Sequence, residues 1–183
     1  SDQSLRVLLI NPGMALAAGF GEFASVMEPM PCLGMASLAA SLKKAGHAVR
    51  CVDAFATGAT FPELLREIDE FKPGIVGQSC LTPTAKVAFS FNDLLKRERP
   101  QIKTVLGNVH ASEFAEEIVG NKQADYVLDG ECEQSLPMLL DALESKESPE
   151  KVPGLHYLSE ATGLPAYAGP PQPVMDLDAL PNP

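Results

Sequence analysis

The chain has 183 residues, of which 45% are hydrophobic, and this is enough for one domain with a sizeable core. The 24 acidic residues outnumber the 14 basic ones, and the resulting formal net charge of −10 argues against a nucleic-acid backbone as the main partner. No apolar run reaches the roughly 18–20 residues of a membrane span, and no signal peptide is recognisable, so we expect a cytoplasmic protein. The four cysteines form no C-x-x-C pair, which indicates reduced thiols rather than a zinc site.

Short apolar runs alternate along the chain with segments whose apolar residues recur at helical spacing. The runs lack the polar alternation of half-buried strands, so they predict parallel strands that are buried on both faces. Strict strand–helix alternation predicts an α/β fold with a Rossmann-like (flavodoxin-like), doubly wound, five-stranded parallel sheet of order 2-1-3-4-5. The predicted strands are 5–10, 47–52, a run from 74 into a loop at 78–82, 103–106 and 124–128; helical stripes cover 33–44, 61–68, 87–95, 112–118 and 136–143.

The character of the chain changes after residue 145. Residues 152–158 predict an edge strand or one arm of a hairpin. From residue 164 the chain is rich in proline, which is typical of an extended, semi-rigid segment. We therefore expect residues 1–160 to form the domain and residues 161–183 to form a Pro-rich linker that leads to a further domain.

Candidate binding residues follow the predicted strands, because ligands of open α/β sheets sit in the crevice at the carboxyl ends of the strands. The sequence has neither the G-x-G-x-x-G of dinucleotide-binding folds nor a P-loop. Asn11 replaces the acidic residue that a phosphoacceptor domain carries after its first strand. The other candidates are small or polar: Asp53, Phe55, Gly58, Ser79, Cys80, Leu81, Thr82, Gly107, Asn108, His110, Gly130 and Glu131.

Three short patterns among these residues resemble the cobalamin-binding Rossmann-like domain. That family carries D-x-H-x-x-G, S-x-L and G-G, and this chain has D-x-F-x-x-G at 53–58, Ser-Cys-Leu at 79–81 and Gly-Asn at 107–108. The resemblance implies a slot for the nucleotide tail of cobalamin, with a Ser79 hydroxyl that donates to the dimethylbenzimidazole nitrogen. Phe55 stands where the cobalt-ligating histidine would be. The resemblance therefore implies base-off cobalamin with no histidine from this motif below the metal.

Longer stretches resemble the N-terminal domain of cobalamin-dependent radical S-adenosylmethionine (SAM) proteins, including methylases and the anaerobic magnesium-protoporphyrin monomethyl ester cyclase. These stretches are 8–12, 31–46, 72–81, 107–112, 129–133 and 176–181. In that family a radical SAM domain follows and holds a [4Fe-4S] cluster and SAM through C-x-x-x-C-x-x-C. This sequence lacks that motif, so the resemblance implies that the chain supplies only the corrin and is not catalytic by itself. The implied partners are cobalamin and a C-terminal radical SAM domain in cis.

Two other functions remain open from the sequence. One is a stand-alone flavodoxin-like domain that binds flavin or a nucleotide in the same crevice, and the other is a partner-docking domain that has lost the corrin. Individual residues also have alternatives: Ser79 as a helix-entry serine, Gly107 as a turn glycine, and His110 as a corrin contact, a cobalt ligand or a loop hydrogen-bonding residue. We predict no catalytic residue and no metal ligand from the protein itself.

Overall fold

The computed structural model describes residues 5–13 and 33–171, which form one seven-stranded sheet with helices on both faces. The strand order is β2-β1-β3-β4-β5-β6-β7, and pairing is parallel from β2 through β5. The order 2-1-3-4-5 predicted for the first five strands is confirmed. The strands are β1 (Arg6–Asn11), β2 (Ala48–Asp53), β3 (Ile75–Ser79), β4 (Lys103–Gly107), β5 (Tyr126–Leu128), β6 (Leu155–Leu158) and β7 (Pro165–Tyr167).

The helices begin and end where local sequence signals place them. Thr60 and Glu63 form the expected capping box before α3, and Lys43 and Lys44 lie in the last turn of α1, where cations favour the helix dipole. Within the described ranges, no helix combines the length and the apolarity that crossing a bilayer requires. The helices are α1 (Leu33–Lys44), α2 (Ala54–Thr57), α3 (Phe61–Phe71), α4 (Ala85–Glu98), α5 (Val109–Glu113), α6 (Ala115–Gly120) and α7 (Cys132–Glu144).

The sheet has seven strands, so the prediction of five was too few. Both additional strands are antiparallel: β6 pairs with β5, and β7 pairs with β6. β6 lies inside the stretch 152–158 that predicted an edge strand. β7 lies inside the stretch 161–183 that was expected to be a linker. Its three residues begin with Pro165, which an outermost strand tolerates because one side of its backbone needs no ladder partner.

The segment after β4 also differs from the prediction. We expected Ser112 to cap one short helix, but α5 begins at Val109 and Ser112 lies inside it. The reason is local: the Asn108 side-chain oxygen accepts a hydrogen bond from the Val109 amide at 2.8 Å, so the helix begins earlier. A second helix, α6, follows directly after Phe114.

The core has two sides because successive residues of each strand point to opposite faces of the sheet. On one face, Val7 and Leu9 of β1 pack with residues of α1 and α7. On the other face, Leu8 and Ile10 pack with residues of α3 and α4. α5 and α6 extend this second face beside β4 and β5. The two faces differ at their carboxyl ends, and that difference creates the site.

Candidate functional site

A cavity of about 380 Å³ lies at the carboxyl ends of β1, β3, β4 and β5, on the face of the sheet that α1 and α7 cover. We call it the slot. Its volume falls within the range of small-molecule sites, and most of its lining is apolar, as is usual for such sites. The slot is lined by Leu9, Ile10, Gly34, Met35, Leu38, Gly77, Gln78, Ser79, Val105, Leu106, Gly107, Asn108, Leu128, Gly130, Glu131, Cys132, Glu133 and Leu136.

Two glycines keep the slot open. A Cβ atom at Gly77 would lie 3.0 Å from Leu9 Cδ2 and 3.4 Å from Val105 Cγ1, so no side chain fits there without displacing its neighbours. A Cβ atom at Gly107 would lie 3.5 Å from Cys132 Sγ, at the wall of the slot. Gly107 does not have a positive φ, so its backbone conformation does not require glycine. In this structure its lack of a side chain leaves space.

Ser79 and Asn108 form the polar end of the slot. The Asn108 amide Nδ2 donates to Ser79 Oγ at 3.0 Å, while its Oδ1 accepts from the Val109 amide. Asn108 has φ 80° and ψ 174°, a backbone region that is essentially restricted to glycine and costs other residues about 1–3 kcal/mol. The residue therefore occupies a strained position where the resembling family carries the second glycine of G-G.

The loop after β5 forms the rim of the slot through Gly130 and Glu131. Asp129 anchors this loop, because its carboxylate accepts from His156 Nε2 of β6 at 2.8 Å. The His156 ring stacks on Tyr167 of β7 with 4.2 Å between centroids. The two antiparallel strands therefore hold the rim in place.

Cys132 lies in the wall of the slot at the start of α7. Burial raises the pKa of its thiol to about 12, with smaller contributions from Glu133 and Asp129. The thiol is therefore neutral at physiological pH, and its sulfur lies 3.5 Å from the Gly130 carbonyl oxygen. Such a group is a weak donor and a poor nucleophile.

The candidates after β1 and β2 lie outside the slot lining. Asn11 Nδ2 donates to Asp53 Oδ1 at 3.0 Å, which ties the ends of the two strands together. Asp53 Oδ1 also accepts from the Ala56 amide at 3.0 Å and caps the single turn of α2. Gly58 ends that turn with φ 70°. Phe55, half-buried in α2, stands between them where the resembling family carries its histidine.

The remaining candidates lie on the opposite side of the β3 and β4 ends. Cys80 is fully buried beneath α4, α5 and α6, and burial raises the pKa of its thiol to about 11. Leu81 is exposed. Thr82 Oγ1 lies 3.1 Å from His110 Nδ1, and the His110 ring lies 4.7 Å from that of Phe114. In the part of the chain that the structure describes, no three His, Cys, Asp or Glu side chains converge as a metal site would require.

The structure thus brings Ser79, Gly107, Asn108, Gly130 and Glu131 together around one slot. The sequence reasoning missed the apolar lining, because those residues follow the same periodicity as ordinary core residues. The available signal was the pair of small residues, Gly77 and Ser79, two apart on one strand and therefore on one face. The missed apolar residues are Leu9, Ile10, Met35, Leu38, Val105, Leu106, Leu128 and Leu136.

Two curated relatives carry names that fit this site. The chain is 32% identical over 155 residues to the hopanoid C-3 methylase of Methylococcus capsulatus, covering 82% of the chain and 28% of the methylase. It is 30% identical over 183 residues to the anaerobic magnesium-protoporphyrin IX monomethyl ester cyclase of Rubrivivax gelatinosus, covering 96% of the chain and 32% of the cyclase. The chain therefore spans about a third or less of the length of these relatives.

Solved structures share the fold. OxsB, a cobalamin-dependent SAM radical enzyme solved with aqua-cobalamin and SAM bound, superposes with a TM-score of 0.76 at 23% identity, covering 93% of this chain and 22% of OxsB. TsrM, a radical SAM methyltransferase from Kitasatospora setae, gives a TM-score of 0.69 at 20% identity, covering 93% and 31%. The predicted α/β fold and the predicted resemblance to this group of proteins are confirmed. Residues 23–140, well over half of the chain, match the family model described as the B12 binding domain, and the chain belongs to that family.

Proposed function

We propose that this chain is the cobalamin-binding module of a larger radical SAM enzyme, a methyltransferase or a tetrapyrrole cyclase, and that the slot receives the nucleotide tail of base-off cobalamin. The observation that carries the proposal is the slot itself. Its lining is mostly apolar, it lies beside glycines at the carboxyl ends of β3 and β4, and Ser79 supplies a hydroxyl at its polar end. These features fit a flat aromatic base that carries one hydrogen-bond acceptor.

The chain's own residues account for binding rather than for chemistry. Gly77 and Gly107 leave room for the tail, and Ser79 donates to its ring nitrogen, which would otherwise be buried without a partner. Gly130 and Glu131 form the rim beside it. When bound, cobalamin supplies a cobalt centre that can carry a methyl group or change oxidation state. We assign the SAM and [4Fe-4S] chemistry to a radical SAM domain in cis, as the names of the longer relatives suggest.

The base-off assignment is supported by the environment of Asp53 and Phe55. A phenyl ring cannot ligate cobalt, and the Asp53 carboxylate is engaged by Asn11 and by the amide of Ala56. His110 is the histidine that the sequence analysis offered as a cobalt ligand. Its Nδ1 is bonded to Thr82 Oγ1, and the residue lies outside the slot lining. We therefore assign no histidine of the described chain to the lower face of the metal.

The proposal is tested by titrating the protein with hydroxocobalamin up to about 100 μM and recording the absorption spectrum at equilibrium, since that concentration almost fills a site of micromolar affinity, which corresponds to about −8 kcal/mol. We expect a bound corrin with a base-off absorption spectrum. A bound spectrum with nitrogen below cobalt would contradict base-off binding, and repeating it with His110→Ala would show whether His110 is the ligand. Absence of bound corrin, or binding of FMN in its place, would contradict the proposal.

Ser79→Ala tests the proposed contact at the polar end of the slot. Loss of one hydrogen bond to a buried acceptor should weaken cobalamin binding about three- to tenfold. Ser90→Ala, an exposed serine on α4 at the opposite face, is the matched control and should leave the affinity unchanged. Equal affinities for the two variants would show that Ser79 does not contact the tail.

A further inference from the structure

We propose that the slot is selective for the lower base of the corrinoid: it accepts an apolar benzimidazole and discriminates against a purine. This inference rests on the proposed function, since it concerns the same slot. Corrinoids that share the corrin ring but differ in this base, here called cobamides, offer a direct comparison. Three features of the slot lead to the selectivity, namely a fixed donor at one end, an apolar closed end and strand backbone that is already paired within the sheet.

The donor is fixed by Asn108. Its Oδ1 accepts from the Val109 amide at 2.8 Å, so the opposite end of the same amide, Nδ2, must be the donor toward Ser79 at 3.0 Å. Ser79 Oγ is therefore the acceptor in that pair, and its own proton remains to be donated. Among the described residues, no acceptor engages that proton. The polar end of the slot thus presents a donor to a ring nitrogen that accepts.

Among the described residues, those that wall the slot away from Ser79 and Asn108, here called its closed end, present hydrocarbon, because the buried Gln78 of the lining donates its amide to Asn92 on the opposite face. Leu9, Val105, Leu128 and Leu136 are between 1% and 5% exposed and belong to one continuous apolar cluster. In the described part of the chain, the lining has two carboxylates, those of the exposed Glu131 and the half-buried Glu133 at the rim. A polar atom at the closed end of the slot would therefore lie among hydrocarbon.

The strand backbone at Gly77, the Gly107 carbonyl and the Cys132 thiol do not offer such a polar atom a good partner. Gly77 is paired in the ladders on both sides, with Leu9 on β1 and Val105 on β4. The Gly107 carbonyl already accepts from the Cys80 amide at 2.8 Å. The Cys132 thiol lies against the Gly130 carbonyl and is a weak partner in either direction.

A detached benzimidazole matches this environment, because it has one acceptor nitrogen and a hydrocarbon edge. An adenine adds further ring nitrogens and an amino group, which would be buried without partners in the closed end. Burial of even one unpaired polar group of this kind lowers affinity by about tenfold or more. The slot therefore distinguishes the two bases chiefly by what it fails to pair in the purine.

The test measures dissociation constants of the 183-residue protein for three ligands: cobalamin, the adenine-containing cobamide, and cobinamide, which lacks the lower base. We expect cobalamin to bind at least about tenfold more tightly than either of the others. Val105→Thr places a hydroxyl in the closed end and should reduce the cobalamin-to-adenine preference several-fold. Val76→Thr makes the same change on the opposite face of the neighbouring strand and should leave the preference unchanged.

The outcomes separate this inference from the proposed function. Equal affinity for the two cobamides, both tighter than cobinamide, would overturn the selectivity but leave cobalamin binding in place. Equal affinity for all three would show that the tail does not enter the slot and would also overturn the inference. If none of the three binds, the proposed function itself fails, and the selectivity fails with it.

Discussion

The two faces of the sheet are built from the same strands but end differently, and β3 shows this most clearly. Toward α1 and α7 it presents Ile75, Gly77 and Ser79, whereas toward α4 it presents Val76 and Gln78, followed by Cys80 directly after the strand. On the first side the residues are small toward the carboxyl end, and the slot remains. On the second side, buried side chains of the strand and of the overlying helices fill the space.

The filled face is closed by both apolar and polar contacts. Phe91 and Leu95 of α4 are at most 1% exposed and pack against β1 and β3. Gln78 Nε2 donates to Asn92 Oδ1 at 2.8 Å, and Asn92 Nδ2 donates to the Gln123 carbonyl at 2.9 Å. A buried polar chain with such pairing is well defined and leaves no room for a ligand. The comparison teaches that this site arises from missing side chains rather than from added reactive ones.

The largest expected effect compares the same truncation on the two faces. Leu95→Ala on the filled face should lower the free energy of unfolding by about 2–5 kcal/mol, because it leaves a cavity in a closed core. Leu136 borders the slot, so its side chain has fewer packing contacts to lose. Leu136→Ala should therefore lower the free energy of unfolding by an amount at or below the lower end of that range. Urea denaturation of both variants measures the difference. Equal costs would argue that the slot is not open in solution.

A methyl group added at Gly77 and one added at Gly107 should lower the free energy of unfolding by different amounts. Gly77→Ala brings Cβ to 3.0 Å from Leu9, so we expect overpacking to cost about 1–3 kcal/mol of unfolding free energy. Gly107→Ala makes an ordinary contact at 3.5 Å from Cys132 and should change stability by less than about 0.5 kcal/mol. Both should weaken cobalamin binding, measured by titration. A Gly107→Ala variant with full affinity would place the tail elsewhere.

The strained backbone of Asn108 predicts a smaller effect of defined sign. Asn108→Gly and Asn108→Ala both remove the amide, but only glycine adopts φ 80° and ψ 174° without strain. Asn108→Gly should therefore be more stable than Asn108→Ala by about 1 kcal/mol, as measured by thermal unfolding. Since each variant leaves Ser79 without its partner, both should weaken cobalamin binding to a similar extent. A more stable alanine variant would contradict the backbone conformation.

Thiol labelling compares the two faces without changing stability. In a Cys32→Ser background, exposed Cys51 should react rapidly with a thiol reagent at pH 8, while Cys80 and Cys132 react slowly. Because burial raises the pKa of the Cys132 thiol to about 12, the thiol is almost wholly protonated at pH 8, and its labelling rate should rise as the pH rises toward that value. Cobalamin should slow labelling of Cys132, at the slot wall, but not of Cys80. Equal protection of both would indicate a global effect.

Much of the fold follows from patterns that each depend on a few neighbouring residues. The apolar runs at β1, β3 and β4 and the capping box at Thr60 and Glu63 are local signals, and the structure agrees with them. β7 is different, because three residues beginning with Pro165 have no strand signal of their own and pair only because β6 supplies a partner. The early start of α5 likewise depends on one side chain, Asn108, bonding the next amide.

The sequence by itself determined which strand ends carry small residues, since Gly77, Ser79 and Gly107 are fixed by the chain and alternate onto one face. Only the tertiary structure decided that these residues face α1 and α7 rather than α4, and that Leu9, Val105 and Leu136 form the wall around them. The physical reason is that periodicity specifies which residues share a face. Whether the space above a missing side chain is filled depends on helices that are distant in the sequence, and here α1 and α7 leave it open.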